Sequence, residues 1–466
     1  MKLKRSVRCL ATVAAGAVVA ATLQISTAQG ATPGEQVQPI DWTTFGTYAG
    51  TDAMGQRTKT ILANESRYLI GPAYASKYTA YAADGYLNLG GKAEEAVRLP
   101  AMTALSAAIA LKLGVYNPVN LSAANATTRD VNLIRTVAAR HKANNTDSAT
   151  AWGSGWQTSL WAYYDGMAAW LMWDKLSATD RDKVVNMLVA EANRFTTGNA
   201  TFLIGTSGQE LYMTRKDGTS ADAGDSKVEE NQWSAALLGL ATAMMPDHPQ
   251  ATAWSTRHKE LLVAATARPA DLTNPATING IQLSTWLKGS NIGDDGTVIN
   301  HGLLHPLYMI LDQGLNEAAT AGLAKKCAPV AALRNTNFVY DALVDKRYPT
   351  SNGGTNTVYQ PNSANIFYPQ GNDWGTTFAG YFGGFDALVS IHGQDGLVAT
   401  KASTWEKLHN DAQIALQARH ADGHTYANNS ENSYFGKEQR IGVISGLSYL
   451  SLWLNGNSAG DKACWS

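Results

Sequence analysis

The sequence has little charge and very little cysteine. Only 16% of its 466 residues are charged, and the formal net charge is −1 at pH 7. A nucleic-acid-binding protein needs a basic surface to neutralise phosphates, so this charge balance argues against a nucleic-acid partner. None of the three cysteines stands in the CxxC spacing of common zinc sites. We therefore expect no metal and no cofactor.

The sequence also lacks a hydrophobic run long enough for a convincing membrane span. At the amino terminus MKLKRSVR precedes the apolar run LATVAAGAVVAATL and the small-residue segment STAQGA. A basic start, a short apolar run and a small-residue cleavage site are typical of a secretory signal peptide. We expect residues 1–30 to be this signal and residues 31–466 to form a single catalytic domain. The product should be a secreted, extracellular monomer without a membrane anchor.

Two cysteines, Cys327 and Cys464, remain after the predicted signal is removed. Export places them in an oxidising compartment, where disulfides form and persist. We predict that they pair and so fix the carboxyl-terminal tail to the body of the protein, with two free thiols as the alternative.

Alternation of apolar and polar residues, the pattern of half-buried strands, is almost absent. Apolar residues recur instead at spacings of three and four, which predicts helices. The predicted helices span residues 101–116, 128–142, 152–176, 177–195, 229–245, 251–267, 316–333, 336–344, 376–391, 403–419 and 437–455. Long loops rich in glycine and asparagine join them, and long loops in compact domains are usually functional. The pattern predicts an all-α fold, an (α/α) toroid of antiparallel helical hairpins with its long loops at one face.

Polar side chains able to donate or move protons are concentrated in one stretch, NIGDDGTVINHGLLHPLY, at residues 291–308. Its glycine-flanked aspartate pair favours a turn. From His301 onward the apolar spacing predicts a helix, and His301, His305 and Tyr308 would share one face of it. That face is either a catalytic site or a well-bonded packing seam.

Aromatic residues are abundant, with 13 Trp and 19 Tyr. Such rings fill cores, but in secreted proteins they also stack against sugars, so we expect an extracellular polysaccharide or oligosaccharide as the partner. Polar and aromatic residues at the starts of predicted helices are candidates for substrate contact. These are Trp156, Glu230, Trp233, His305, Tyr368, Asp373, Trp374 and Arg419, with Arg215 and Arg440 as further arginines able to hold a carboxylate.

Two reactions suit these residue types. β-Elimination at a uronic acid needs neutral donors beside the sugar carboxylate and a base for the adjacent proton, roles that Asn231, His301 and Tyr308 could fill. Hydrolysis of a glycosidic bond needs two carboxylates, which Glu229 or Glu230 could supply together with Asp373. A third alternative is a non-catalytic carbohydrate-binding protein.

The pairing of ENQW with DGTVINHGLLHPLY resembles the α/α-toroid polysaccharide lyases, including the heparinase II/III-like and chondroitin/hyaluronate lyase groups. The matching segments are Asp295-Gly296-Thr297 for a DGS-like turn, His301-Gly302 for an HG pair and Tyr308 for a nearby tyrosine. The resemblance spans roughly residues 150–460 and implies a lyase that uses Asn231, His301 and Tyr308.

This sequence departs from the lyase pattern in two ways. The spacing from histidine to tyrosine differs, and nothing after residue 455 resembles the β-sandwich domain of many such lyases. Tyr359, Tyr368 and Tyr434 are therefore alternatives to Tyr308 for proton transfer. The hypothesis remains a secreted polysaccharide lyase, with the glycoside hydrolase as the first alternative.

Overall fold

The computed structural model describes residues 32–196, 225–287, 289–456 and 464–466. The predicted signal peptide and Arg215 lie outside these ranges. None of the helices within them is both long enough and apolar enough to cross a membrane.

Twelve helices of nine or more residues lie in the described part of the chain. They are α1 (Ala53–Tyr68), α2 (Glu94–Lys112), α3 (Ala123–Arg140), α4 (Thr158–Leu171), α5 (Ala178–Asn193), α6 (Val228–Met244), α7 (Ala251–Ala265), α8 (Asp312–Leu323), α9 (Thr336–Val344), α10 (Ala379–Ile391), α11 (Ala402–Gln417) and α12 (Lys437–Gly456).

The even-numbered helices form a closed inner ring. Each packs against the next, from α2 through α4, α6, α8 and α10 to α12, and α12 packs back against α2. The odd-numbered helices lie outside this ring: α1 packs on α12, α3 on α2, α5 on α4, α7 on α6 and α11 on α10, while Tyr340 of α9 contacts Phe385 of α10. The predicted all-α toroid is confirmed.

Burial separates the two rings. Every residue of α4 is buried, as expected for a helix surrounded by other helices. The outer helix α3 buries one side through Leu133, Ile134 and Val137 and leaves the other facing water. Apolar residues all round therefore mark an inner helix, and a one-sided apolar stripe marks an outer one.

Helix ends follow local signals. The Ser177 side chain accepts a hydrogen bond from the Asp180 backbone N–H at 3.1 Å, so α5 begins at the predicted cap. The predicted helix 316–333 is instead divided. α8 ends at Leu323, Lys325 adopts a φ of 56°, and a 3₁₀ turn follows at Val330–Leu333. A left-handed residue ends an α-helix, which explains the difference.

Short elements fill the loops. Within the described residues, three antiparallel hairpins pair Thr277–Ile278 with Ile281–Gln282, Ile299–Asn300 with Leu303–Leu304, and Arg347–Pro349 with Thr355–Thr357. One-turn helices lie at Tyr74–Lys77 and Leu283–Trp286, a π-helical segment at Leu69–Ala73, and further 3₁₀ turns at Pro33–Gln36, Trp42–Thr44, Trp173–Lys175, Pro269–Thr273 and Pro306–Met309.

The helix predicted from His301 onward is absent. His301 and Gly302 form the turn of a hairpin, and a 3₁₀ turn starts at Pro306. The residue before a proline avoids the helical region, and His305 accordingly has φ −118° and ψ 95°. The prediction was wrong because Gly302 and Pro306 outweigh the apolar spacing.

The predicted disulfide is confirmed. Cys327 and Cys464 are bonded, with their Cα atoms 4.7 Å apart. Backbone hydrogen bonds between Ala328 and the last residues of the chain hold the tail alongside, because the Ala328 N–H donates to the Cys464 carbonyl and the Ser466 N–H donates to the Ala328 carbonyl.

Candidate active site

A cavity of about 300 Å³ lies where the inner helices begin. The first two turns of all six inner helices in the described chain contribute lining residues: Glu94 and Arg98 from α2, Leu160 from α4, Glu229 and Trp233 from α6, Gln313 from α8, Tyr381 from α10 and Arg440 from α12. Since all six present their amino-terminal ends to one cavity, they run in the same direction. The loops that enter these helices complete the wall with Trp156, His301, Tyr308, Trp374 and Tyr434.

The hairpin turn places His301 at the cavity. His301 has φ 51° and Gly302 has φ 74°, so both turn residues are left-handed, as in a type I′ turn. A left-handed conformation is uncommon for a residue with a side chain and is usual for glycine. The backbone of this hairpin therefore fixes the direction in which the imidazole of His301 projects.

His301 joins Asp373 to Tyr308. Its Nδ1 lies 2.5 Å from Asp373 Oδ2, and its Nε2 lies 3.1 Å from the Tyr308 hydroxyl oxygen. A neutral imidazole with its proton on Nδ1 satisfies both contacts: Nδ1–H donates to the carboxylate, and Nε2 accepts from the hydroxyl. The hydrogen bond from His301 lowers the pKa of Asp373. This pair can accept a proton from a bound water.

His305 lies behind this pair. Its side chain is completely buried, and its Nε2 is 3.6 Å from Asp373 Oδ2. Burial lowers the pKa of His305 to about 4, so its imidazole is neutral at physiological pH. Trp374 and Tyr308 pack beside it, with ring centroids 5.5 and 4.7 Å from that of His305.

Two consecutive glutamates stand at the start of α6. Glu229 lines the cavity, whereas Glu230 is buried beside Trp156 and Lys227, at 3.4 Å from Trp156 Nε1 and 3.5 Å from Lys227 Nζ. Burial raises the pKa of Glu229 well above its usual range, and the nearby Glu230 raises it further. Glu229 therefore tends to stay protonated, which is the state that a general acid needs.

Aromatic rings form much of the wall. Trp156 is 63% exposed, unusual for tryptophan, and packs edge-on against Trp233 with ring centroids 5.3 Å apart. Trp374 and Tyr434 make a similar contact at 5.2 Å. An exposed ring beside polar side chains is the arrangement that binds the apolar face of a sugar.

Six predicted site residues do not line this cavity. Glu230, His305 and Asp373 each contact a residue that does. The other three are Asn231, Tyr368 and Arg419. Asn231 is fully buried within α6, Tyr368 packs against Phe378, and Arg419 forms a salt bridge to Glu431 at 2.5 Å. The predicted convergence of Asn231 with His301 and Tyr308 in one cavity is therefore wrong. In the first turn of α6 the packing turns Glu229, not Asn231, towards the cavity.

Tyr359, an alternative for proton transfer, is also away from the cavity. It is fully buried and donates a hydrogen bond to Asp386 Oδ1 at 2.8 Å. Tyr434 does line the cavity, where Arg98 donates to its hydroxyl at 2.6 Å. Arg440 also lines it, and its guanidinium donates to Asp312 Oδ1 at 2.7 Å.

Sequence reasoning missed Glu94 and Arg98. They form an i, i+4 ion pair at 2.8 Å at the start of α2, and such pairs usually lie on solvated surfaces. The available signal was the position of both residues within the first five residues of a helix that is mostly apolar after them.

No family model matches this chain, and no curated protein sequence matches it. Two solved structures are similar. One is an inactive variant of the GH76A α-1,6-mannanase of Salegentibacter sp. HEL1_6 in complex with α-1,6-mannotriose, 11% identical, covering 84% of this chain and 99% of that chain, with a TM-score of 0.43. The other is the same mannanase, 10% identical over the same shares of both chains, with a TM-score of 0.41.

Both structures are of a glycoside hydrolase. The lyase prediction is corrected on the geometry of the site. The site gives a physical reason for this correction, because the neutral Asn231 that elimination would use is not at the cavity. At such low similarity, substrate and reaction have to be inferred from the side chains of the site.

Proposed function

We propose that this chain is an exported glycoside hydrolase that cleaves an oligosaccharide or polysaccharide in the cavity at the mouth of the toroid. One observation carries the proposal: Glu229, with its raised pKa, and His301, bonded to Asp373, line the same aromatic-walled cavity. Hydrolysis needs a proton donor for the leaving oxygen and an acceptor for the proton of the attacking water.

Each group then has one task. Glu229 donates its proton to the glycosidic oxygen as the bond from that oxygen to the anomeric carbon breaks. Water attacks the anomeric carbon, and its proton passes to the pair formed by His301 and Asp373. The products are two sugars, and one proton transfer between the pair and Glu229 through solvent restores the starting state.

Glu229 is favoured over Glu230 as the acid. Glu230 is held by Trp156 and Lys227 and does not line the cavity. Glu94 does line it but is held in an ion pair with Arg98. Trp156, exposed at the rim, supplies a surface on which a sugar ring can stack.

The test uses a panel of neutral and acidic polysaccharides, with products measured both as reducing ends and by the ultraviolet absorbance of an unsaturated sugar. We expect new reducing ends without that absorbance. Glu229→Gln should lower turnover of the natural glycan about 10²–10⁴-fold, the usual contribution of general acid catalysis. It should also remove the fall in rate at high pH, where wild-type Glu229 loses its proton.

An aryl glycoside with a good leaving group separates the role of the acid from that of the base. Its aryl group leaves readily without being protonated, so the acid contributes little to its cleavage. Glu229→Gln should therefore retain much more activity on the aryl glycoside than on the glycan, whereas Asp373→Asn should be slow on both. Glu94→Gln is the matched control, a cavity-lining glutamate that should not show this pattern. Unsaturated products, binding without cleavage, or equal losses for Glu229→Gln on both substrates would contradict the proposal.

A further inference from the structure

We propose that His301, His305 and Asp373 bind one divalent transition-metal ion of the Zn²⁺ type. The three residues offer two imidazole nitrogens and one carboxylate oxygen, and these ligand atoms all lie within 4.8 Å of one another. The hairpin of residues 299–304 supplies His301, the segment just after it supplies His305, and the loop before α10 supplies Asp373.

The distances between these ligand atoms are close to those found around a zinc ion, so small side-chain movements would let all three bind one ion. Zinc binds nitrogen and oxygen at about 2.0–2.2 Å, so tetrahedral ligands stand roughly 3.3–3.5 Å apart. Asp373 Oδ2 is 2.5 Å from His301 Nδ1 and 3.6 Å from His305 Nε2. The first distance is shorter than the separation of two zinc ligands and the second is slightly longer. Rotation of the Asp373 carboxylate, which is 36% exposed, can correct both.

His305 provides the independent evidence for a ligand. Its side chain is completely buried, yet among the described residues neither of its ring nitrogens has a hydrogen-bond partner. A buried polar group without a partner costs about 1–3 kcal/mol, so such groups are rare unless something else bonds to them. Its Nε2 points towards Asp373, and an ion between them would satisfy it.

Tyr308 completes the arrangement. In metal sites the second nitrogen of a histidine ligand usually donates to an oxygen that fixes the ring orientation. The Tyr308 hydroxyl lies 3.1 Å from His301 Nε2, which is the nitrogen that remains when Nδ1 binds the ion. Protonated Nε2 would then donate to the tyrosine oxygen.

The ligand set selects the type of ion. Calcium and magnesium prefer oxygen ligands, whereas two imidazoles with a carboxylate suit zinc and its transition-metal neighbours. Three protein ligands leave a coordination position for water or substrate, as in catalytic zinc sites. His301 lines the cavity, so this open position lies on the side where a glycan would bind.

The ion also has a consequence for hydrolysis, and this part rests on the proposed function. Zinc lowers the pKa of its bound water to about 7, so with the ion bound the attacking hydroxide would form on the ion. The ion would then replace the pair of His301 and Asp373 as the activator of the water, and the proton of the water would leave through solvent. The oxygen of that hydroxide bonds to the anomeric carbon while Glu229 protonates the departing oxygen. Binding of the ion itself does not depend on this role.

The test is a titration of tag-free, full-length, chelator-treated protein with ZnCl₂ by calorimetry, and with CoCl₂ by visible absorption. We expect one equivalent of Zn²⁺, a Co²⁺ spectrum with d–d bands, and a higher melting temperature with metal. Asp373→Asn and His301→Ala alter exposed side chains and should fold normally, yet they should weaken binding by more than the 10–100-fold typical of an outer-shell change. Tyr308→Phe should weaken it within that range.

His424→Ala is the matched control. His424 Nδ1 is also 2.5 Å from an aspartate oxygen, that of Asp422, and its loss should leave stoichiometry and affinity unchanged. No bound equivalent, or an equivalent that persists in both Asp373→Asn and His301→Ala, would overturn the proposal. Zinc binding without glycan cleavage would leave the metal site standing and reject only the hydrolase.

Discussion

Two buried carboxylic acids make stability depend on pH. Asp130 in α3 and Asp165 in α4 are completely buried, and among the described residues none donates a hydrogen bond to their carboxyl oxygens. Burial raises the pKa of both well above the usual range, and in Asp165 the proximity of Asp130 adds to the rise. Both are therefore held as neutral acids in the folded protein.

Asp165→Asn should make the protein more stable than wild type at neutral pH. Because the pKa of Asp165 is higher in the folded state than in the unfolded state, its contribution to the free energy of unfolding depends on pH. That contribution is fully present below about pH 4, the pKa of an unfolded aspartate, and is lost as the pH rises through the folded-state pKa. The neutral amide removes this loss, so the variant should gain stability relative to wild type between about pH 5 and pH 8 and not near pH 4. Urea unfolding at several pH values measures this difference.

Asp84→Asn is the control for that experiment. Arg140 lowers the pKa of Asp84, a largely exposed carboxylate, so its contribution is present at high pH and lost on acidification. Its removal should not raise stability at pH 8. If the free energy of unfolding changed with pH in the same way for Asp165→Asn and wild type, Asp165 would be ionised in the folded state.

The hairpin of residues 299–304 shows how a short element can position a side chain. Its two-residue turn needs two left-handed residues, and His301 and Gly302 provide them. His301 is the less favourable of the two, because a β-carbon crowds the left-handed backbone. The element thus holds an imidazole at the cavity edge at some cost in stability.

Gly302→Ala should lower the free energy of unfolding by about 1–2 kcal/mol through the backbone alone. A β-carbon added at Gly302 would meet no atom within 4 Å, so crowding makes no contribution. Because His301 is the other residue of this two-residue turn, Gly302→Ala should also lower the catalytic rate and the metal affinity. Chemical unfolding and zinc titration of the same variant measure both effects.

Gly302→Asn should be milder than Gly302→Ala, because asparagine tolerates the left-handed region better. Gly396→Ala controls for loss of a glycine elsewhere, since Gly396 has open space around it and no left-handed φ. Equal losses for alanine and asparagine at position 302 would show that the turn conformation is not the cause.

Closure of the inner ring is a property of the entire described chain. The last inner helix, α12, packs against the first, α2, at Gly442 and Ser106. These residues are far apart in sequence, so their contact forms only when the other helices are in place. Ring closure brings the six inner helix starts to a common centre, and the cavity exists only because of it.

Gly442→Ala should destabilise the fold by about 1–3 kcal/mol, the usual effect of overpacking. The new β-carbon would stand 2.6 Å from Ser106 Oγ and 2.8 Å from Leu69 Cδ1. Adding Ser106→Gly should recover part of the loss, because the two sites are in contact and their effects are not additive. Thermal unfolding of both variants checks this, and a double variant no better than the single one would contradict the contact.

Features that depend on near neighbours along the chain could be predicted from the sequence. Apolar spacing predicted the helices, including α9 at its observed bounds, and Ser177 predicted the start of α5. Two cysteines in a predicted exported chain predicted the disulfide. The polar stretch around His301 was also identified, although as a helix. Such features are encoded locally because hydrogen bonds and propensities act within a few residues.

Which side chains meet depends on how the helices and loops pack in three dimensions. His301 and Asp373 are 72 positions apart, and no spacing rule joins them. Packing sets the rotation of α6 about its axis, which turns Glu229 to the cavity and buries Asn231. That rotation places a carboxylic acid, not a neutral amide, at the cavity. Helix rotation follows from contacts with neighbouring helices, so it is fixed only when the ring closes.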